Sequence, residues 1–226
     1  MKLLVSAIYL SMVTVSLFLP LSSAFGFWID SKTIPLSEWV TAPPANGSAE
    51  NAKDTNTLLD YQKNRGEQEC KRANSEVKST LATFFGAPYG SLKEEEIKRL
   101  APFFAEIKLQ TTEIVHLEKA YWKRKRPFVE DHNLKPCVMK EGGESYPSGH
   151  ATLARLFAET LAVIDPRHAD AFRARADQIG LDRVIAGMHH PTDIEAGKKL
   201  ALRIFSELRK NDRFMKSLEA LAQGKK

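Results

Sequence analysis

Cysteine is scarce in this chain, with two among 226 residues, and neither has enough potential ligands beside it to build a metal site. Charge of one sign is also lacking. Lys and Arg total 33 against 28 Asp and Glu, a mixture too even to mark a nucleic-acid binder by net charge. Beyond residue 24 no stretch approaches the roughly 18 uninterrupted apolar residues that a membrane span needs. Strand-type alternation is convincing nowhere, and there is no internal repeat or low-complexity segment. With 43% hydrophobic residues, 12 Gly and 11 Pro, intrinsic disorder and collagen-like repeats are excluded, and the length allows one generous domain or two small ones.

The first 24 residues carry one charge, Lys2, then an apolar stretch from Leu3 to Leu19, a break at Pro20 and Ser22-Ser23-Ala24. This is the layout of a secretory signal peptide cleaved before Phe25, and no cysteine follows to receive a lipid. The alternative is an uncleaved anchor. Export places the mature chain in the periplasm, where Cys70 and Cys137 either pair as a disulfide or remain as two buried thiols.

From residue 25 to 57 the chain mixes Pro43-Pro44, Asn46-Gly47-Ser48 and isolated aromatics without a period, and reads as an irregular arm that wraps the domain. Residues 58–226 are expected to form one all-α helical-bundle domain. Ser91 and Glu94 have the form of a capping box ahead of Ile97, Leu100, Phe104, Ile107, Ile114 and Tyr121, with Pro102 breaking or bending that run. A helix starting at Ser148 carries Leu153, Leu156, Phe157, Leu161 and Ile164 as far as Asp165-Pro166. Another spans about Arg167 to Ala186, Gly187 turns the chain, and Pro191 opens a last long helix bearing Ile194, Leu200, Leu202, Phe205 and Leu208.

Three clusters carry potential chemistry. Lys119 and Arg126 are two helical turns apart, so both cations are expected to point the same way, with Pro127 ending the helix; a solvated basic helix end is the plain alternative. Pro147-Ser148-Gly149-His150 lies where a loop enters a helix, so unpaired backbone N–H groups are ready to hold an anion and Gly149 admits it closely. Ser148 as a simple N-cap is compatible with that. The helix dipole lowers the pKa of His150, and a bound phosphate raises it again. His189 precedes a helix start and Asp193 sits in its first turn, where a carboxylate can fix the imidazole tautomer. A metal reading of His189-His190-Pro191-Thr192-Asp193 is disfavoured, because adjacent histidines diverge and the other strong groups are cations. His116, His132 and His168 have no evident partners.

Together, Lys119-x6-Arg126-Pro127, Pro147-Ser148-Gly149-His150 and Arg183-x5-His189-x3-Asp193 resemble the three-part signature of the type 2 phosphatidic acid phosphatase superfamily. The single-domain, exported form is most similar to the bacterial class A non-specific acid phosphatases. The resemblance implies the helical fold of the acid phosphatase and vanadium haloperoxidase type. It implies metal-independent hydrolysis of small phosphomonoesters with no cofactor: His189 as nucleophile forming a phosphohistidine, His150 as acid and then base, Asp193 orienting His189. Lys119, Arg126, Ser148, Gly149 and Arg183 would hold the phosphoryl oxygens, which suits a reaction that needs mostly positioning and charge neutralisation. Activity is then expected to favour mildly acidic pH, with His150 protonated and His189 neutral.

One position departs from the family pattern: Asp182 stands where a serine usually precedes the arginine. Either it turns away to pair with a cation or it weakens anion binding. The resemblance also suggests a homodimer or larger assembly, with no nucleic-acid partner and no stable membrane insertion. Other readings are a vanadate-dependent haloperoxidase, disfavoured by the short chain; a lipid phosphatase, disfavoured by the lack of spanning helices; and an exported phosphate-binding protein without turnover. A binder has no need of a histidine with its own orienting carboxylate. Loops such as 129–146 carry no readable code for the leaving group.

Overall fold

The computed structural model describes residues 26–224, so the segment read as a signal peptide lies outside the described residues. The first described residues pack on the helices. Trp28 packs against both Phe103 and Phe214 with ring centroids 5.7 and 5.3 Å away, and the Ile29 backbone N–H donates to Gln110 at 2.9 Å. A short helix, α1 (Leu36–Trp39), follows. The irregular stretch is shorter than expected, however. Gly47 adopts a positive φ of 78°, and Ser48 then caps α2 (Ala49–Asn64) by accepting from the Asn51 N–H at 3.1 Å. The residues 49–57 that looked irregular are helical because this cap nucleates them and Asp54 and Leu58 are buried.

Next come α3 (Glu67–Ser75), α4 (Leu81–Phe85) and the long α5 (Glu94–Trp122). The N-cap of α5 is Lys93 rather than Ser91, with Glu96 reaching back to the Lys93 N–H at 3.1 Å. Pro102 does not break α5: Leu100, Phe103 and Phe104 are all buried beside it, and their packing holds the helix through the missing hydrogen bond. The helix instead ends at Lys123, which takes the left-handed conformation at φ 52°. Pro127 therefore opens the short α6 (Pro127–Glu130), and Arg126 lies beyond α5 rather than two turns along it. Tyr121 and Leu202, expected on buried faces, are half exposed at 50% and 51%.

The remaining helices are α7 (Gly149–Ile164), α8 (Ala169–Ile185), α9 (Pro191–Leu208) and α10 (Asp212–Gln223). The last was not foreseen; Asn211 caps it and Phe214 and Leu218 bury its inner face. Among the described residues there is no strand, only an isolated bridge between Gly86 and Leu92. The fold is all-α.

Helix α7 is the centre of the bundle. It packs most extensively on α8 and α9 and also meets α5 and α10, so nearly its whole circumference is buried. Phe157 lies edge-on to Phe104 at 4.9 Å within that core. Gly197 lets α9 come against the start of α7: a Cβ there would stand 2.7 Å from the Ser148 carbonyl oxygen. The Ser148 N–H completes this junction by donating to the Asp193 carbonyl at 3.0 Å. Two functional helix starts are thereby fixed against each other.

Cys70 on α3 and Cys137 in the α6–α7 loop form a disulfide across a sequence separation of 67. Closing a loop of that length restricts the unfolded chain and is worth about 2–4 kcal/mol. Denaturant titration of the oxidised protein and of the Cys70→Ser/Cys137→Ser variant should differ by that amount. Coincident midpoints would show that the link contributes nothing.

Candidate active site

All three clusters converge. Lys119 comes from the last turn of α5, and the reversal at Lys123 brings Arg126 back toward it. His150 sits in the first turn of α7, Arg183 in the last turn of α8, and His189 in the link to α9. That link turns at Gly187, whose φ is 77°, and is stapled by the Met188 N–H to the Arg183 carbonyl at 2.9 Å. Lys119, Arg126, Gly149, His150 and His189 line one cavity of about 570 Å³. Ser148 is fully buried as the N-cap of α7, its Oγ accepting from the Ala151 N–H at 3.4 Å.

His189 is held from both sides. Its Nε2 accepts from Arg126 Nη1 at 2.9 Å, which assigns the proton to Nδ1 on the hydrogen-bond pattern. Nδ1 faces Asp193 Oδ2 and Ser145 Oγ, each at 3.4 Å. Nε2 thus carries the ring's lone pair, which Arg126 engages in the ligand-free site. Asp193 does more than orient His189: its Oδ2 accepts from Ser145 Oγ at 2.5 Å and the His190 N–H at 2.8 Å, and lies 3.1 Å from His190 Nδ1. Oδ1 pairs with Arg124 Nη1 at 2.8 Å, and Arg124 in turn pairs with Asp54 at 2.9 Å.

Electrostatics follow from this packing. Burial alone would raise the Asp193 carboxyl, but hydrogen bonds from His189 and His190 hold it well below the ordinary range. Burial and then the Arg126 charge push His189 well below its usual value; burial, Arg183 and His189 do the same to His150. Both imidazoles are neutral at pH 7. Burial, reinforced by Arg126, lowers the Lys119 ammonium to about 7. Burial also lowers Arg126 and Arg183, whose guanidinium groups nevertheless stay charged in the working range.

Two further observations show what the pocket accepts. Arg183 Nε and Nη1 and His150 Nε2 are buried without a hydrogen-bond partner, and the two arginine donors favour an acceptor-rich ligand. In addition, Glu141 bridges the two arginines, 2.9 Å from Arg183 and 3.4 Å from Arg126. An anion between Arg126 and Arg183 is what this geometry holds. Asp182 does not intrude: it faces away from the pocket, paired in bidentate fashion with Arg72 at 2.7 Å for both contacts and held by Gln178 at 2.9 Å.

Arg124, Asp54, Ser145 and Glu141 were missed in the sequence. Arg124 was hidden in the run Lys123-Arg124-Lys125-Arg126, and Asp54 lies far away in the chain with no local signal. Ser145 and Glu141 flank the motif Pro147-Ser148-Gly149-His150 and could have been noticed by proximity. His168 pairs with Asp165 at 2.8 Å and is remote from these groups, whereas His116 lines the cavity. Among the described residues no group of three or more His, Cys, Asp or Glu is placed to hold a metal ion. No described helix is long and apolar enough to cross a membrane.

Comparison with known proteins agrees with this geometry. Residues 103–208 match the PAP2 superfamily. An acid phosphatase of Zymomonas mobilis is 27% identical over 190 residues, covering 80% of this chain and 72% of the relative. A non-specific acid phosphatase of Salmonella typhi is 36% identical over 109 residues, which are 44% of this chain and 42% of that protein. Among solved structures, a bacterial vanadium-dependent iodoperoxidase superposes with a TM-score of 0.60 at 15% identity, over 78% of this chain and 54% of the other. That last likeness concerns the fold alone. Over residues 103–208 the chain is thus similar to the PAP2 superfamily.

Proposed function

We propose that this protein is an exported acid phosphatase that hydrolyses phosphomonoesters through a phosphohistidine intermediate without a metal ion. The observation that carries this is the pair of unpaired buried donors on Arg183, Nε and Nη1, in a site that also brings together the unpartnered His150 Nε2 and the His189 Nε2 lone pair. The family domain and the acid phosphatases named among its relatives support a phosphoric monoester hydrolase. A disulfide supports an oxidising compartment, in keeping with a periplasmic location.

In this mechanism Arg126, Arg183, Lys119 and the N–H groups at the start of α7 grip the phosphoryl oxygens. The His189 Nε2 lone pair forms a bond to phosphorus as the ester P–O bond breaks. His150 Nε2 gives its proton to the leaving oxygen. The phosphorylated imidazole becomes cationic while keeping its Nδ1 proton toward Asp193, whose carboxylate stabilises it. A water then attacks phosphorus, passing a proton to His150 as the P–N bond breaks and His189 is restored. Because His150 is neutral in the free protein, the bound dianion must supply the charge that raises its affinity for a proton.

Replacing His189 by Ala should lower kcat for p-nitrophenyl phosphate by at least about a thousandfold while vanadate binding stays within a few-fold. Loss of vanadate binding together with activity would assign His189 to the anion pocket instead. The pH profile carries a second expectation. Lys119 is cationic below about pH 7 and loses its charge above it, so KM should rise on the alkaline side while turnover, needing protonated His150, is best in mild acid. A flat or alkaline-peaked profile contradicts the two-histidine assignment. Finally, Glu141 competes for the arginines that the phosphoryl group uses. Glu141→Gln is expected to lower KM about three- to tenfold with kcat little changed, and an unchanged or higher KM would show that the carboxylate is no competitor.

A further inference from the structure

The cavity is larger and more basic than a lone phosphoryl group requires. At about 570 Å³ it falls in the range of pockets that enclose whole small-molecule ligands. Its far wall is one face of α5: Lys108, Thr112 and His116 lie on successive turns leading away from Lys119, and all four line the cavity. With a rise of about 1.5 Å per residue, His116 stands about 5 Å and Lys108 about 16 Å along the helix axis from Lys119. Lys78, from the segment between α3 and α4, lines the cavity as well.

None of these side chains serves the reaction described above. Among the described residues, neither ammonium of Lys78 and Lys108 has an ion pair, and His116 has no polar partner. The acidic groups in the lining are Glu141, already engaged by Arg126 and Arg183, and Glu144. The wall beyond the phosphoryl pocket therefore has cations to spare.

We propose that Lys78, Lys108 and His116 form a second anion subsite, selecting small phosphomonoesters whose leaving group carries a further phosphate or carboxylate one to three helical turns from the scissile phosphorus. This rests on the hydrolase reading for its consequences in turnover but not for its consequences in binding. Partly exposed cations each add modestly to affinity and are screened by salt, so the preference should be about three- to tenfold and shrink as ionic strength rises.

Sorbitol 6-phosphate and 6-phosphogluconate form a matched pair that differs only in a terminal hydroxymethyl or carboxylate group. Fructose 6-phosphate and fructose 1,6-bisphosphate test a second phosphate in its place. Dissociation constants for all four would be measured by calorimetry on the His189→Ala protein, alongside kcat/KM on the unaltered protein. The expected result is tighter binding and higher kcat/KM for the doubly anionic member of at least one pair. Lys78→Gln/Lys108→Gln, in both backgrounds, should erase that difference while hydrolysis of p-nitrophenyl phosphate is unchanged. Equal binding within both pairs, or a preference that survives the double substitution, overturns the subsite. Absence of turnover on every ester, p-nitrophenyl phosphate included, would defeat the hydrolase reading alone, because the binding ratios still decide the subsite.

Discussion

The Asp193 carboxylate is the group on which the site depends. It is completely buried, and burying a carboxylate is tolerable only if its lone pairs are taken up. Arg124, Ser145 and His190 take them, leaving Oδ2 also at the edge of hydrogen-bond reach of His189. Each partner comes from a different stretch of chain: the α5–α6 link, the loop before α7, and the start of α9. One acid therefore sets the relative positions of several segments that sequence alone leaves unconnected. Arg124 extends the arrangement to Asp54 on α2, so that the arm side of the molecule is also tied to Asp193. Removing Arg124 would leave two carboxylates buried without their cation, a far larger disturbance than removing a surface ion pair.

Around that anchor, the pocket concentrates positive charge with unusual economy of counter-charge. The two imidazoles respond by staying neutral, so that His189 Nε2 meets Arg126 with a lone pair rather than a proton. The same burial that lowers Lys119 to about 7 makes its charge conditional on pH and on the ligand. Glu141 is the local answer to the cost of clustered cations. It lies next to Gly142-Gly143 on a partly exposed loop, so its contact with the arginines can be exchanged for a ligand without disturbing the helical core.

Local pattern made much of this legible. The Ser148 cap, the Pro191 helix start, the Gly187 turn and the Asp165-Pro166 stop all depend on residues adjacent in the chain, and each lies where its chemistry predicted. The spacing of His189 and Asp193 likewise specified a contact within one turn. What failed depended on tertiary context. Pro102 looked like a breaker because its cost is local, whereas the burial of Phe103 and Phe104 that outweighs it is not. Lys119 and Arg126 do converge, but through a left-handed residue at Lys123 rather than along one helix face; a lysine gives no sign that it will adopt φ 52°. Asp54 could not be foreseen because its reason for being buried is an arginine 70 residues away.

Asp182 illustrates how a departure from a motif can be absorbed by structure. Neighbours on a helix point about 100° apart, so the residue before Arg183 need not share its surroundings. Arg183 turns toward Glu141 and the pocket, while Asp182 turns toward α3 and meets Arg72. Nearby, Glu76 pairs with Arg175 at 2.6 Å; burial first, and then the Asp182 charge, raise it to about 7, so below that pH it is protonated and adds no second negative charge. Glu76 also offers its backbone to His150, which links this cluster to the proposed acid. Arg72 and Cys70 both belong to α3: one clamps the helix that carries Arg183, the other is covalently joined to the loop that leads to Glu141. The carboxylate that seemed out of place in the motif thus serves to hold α3 against α8, with Arg183 free to face Glu141 on the other side.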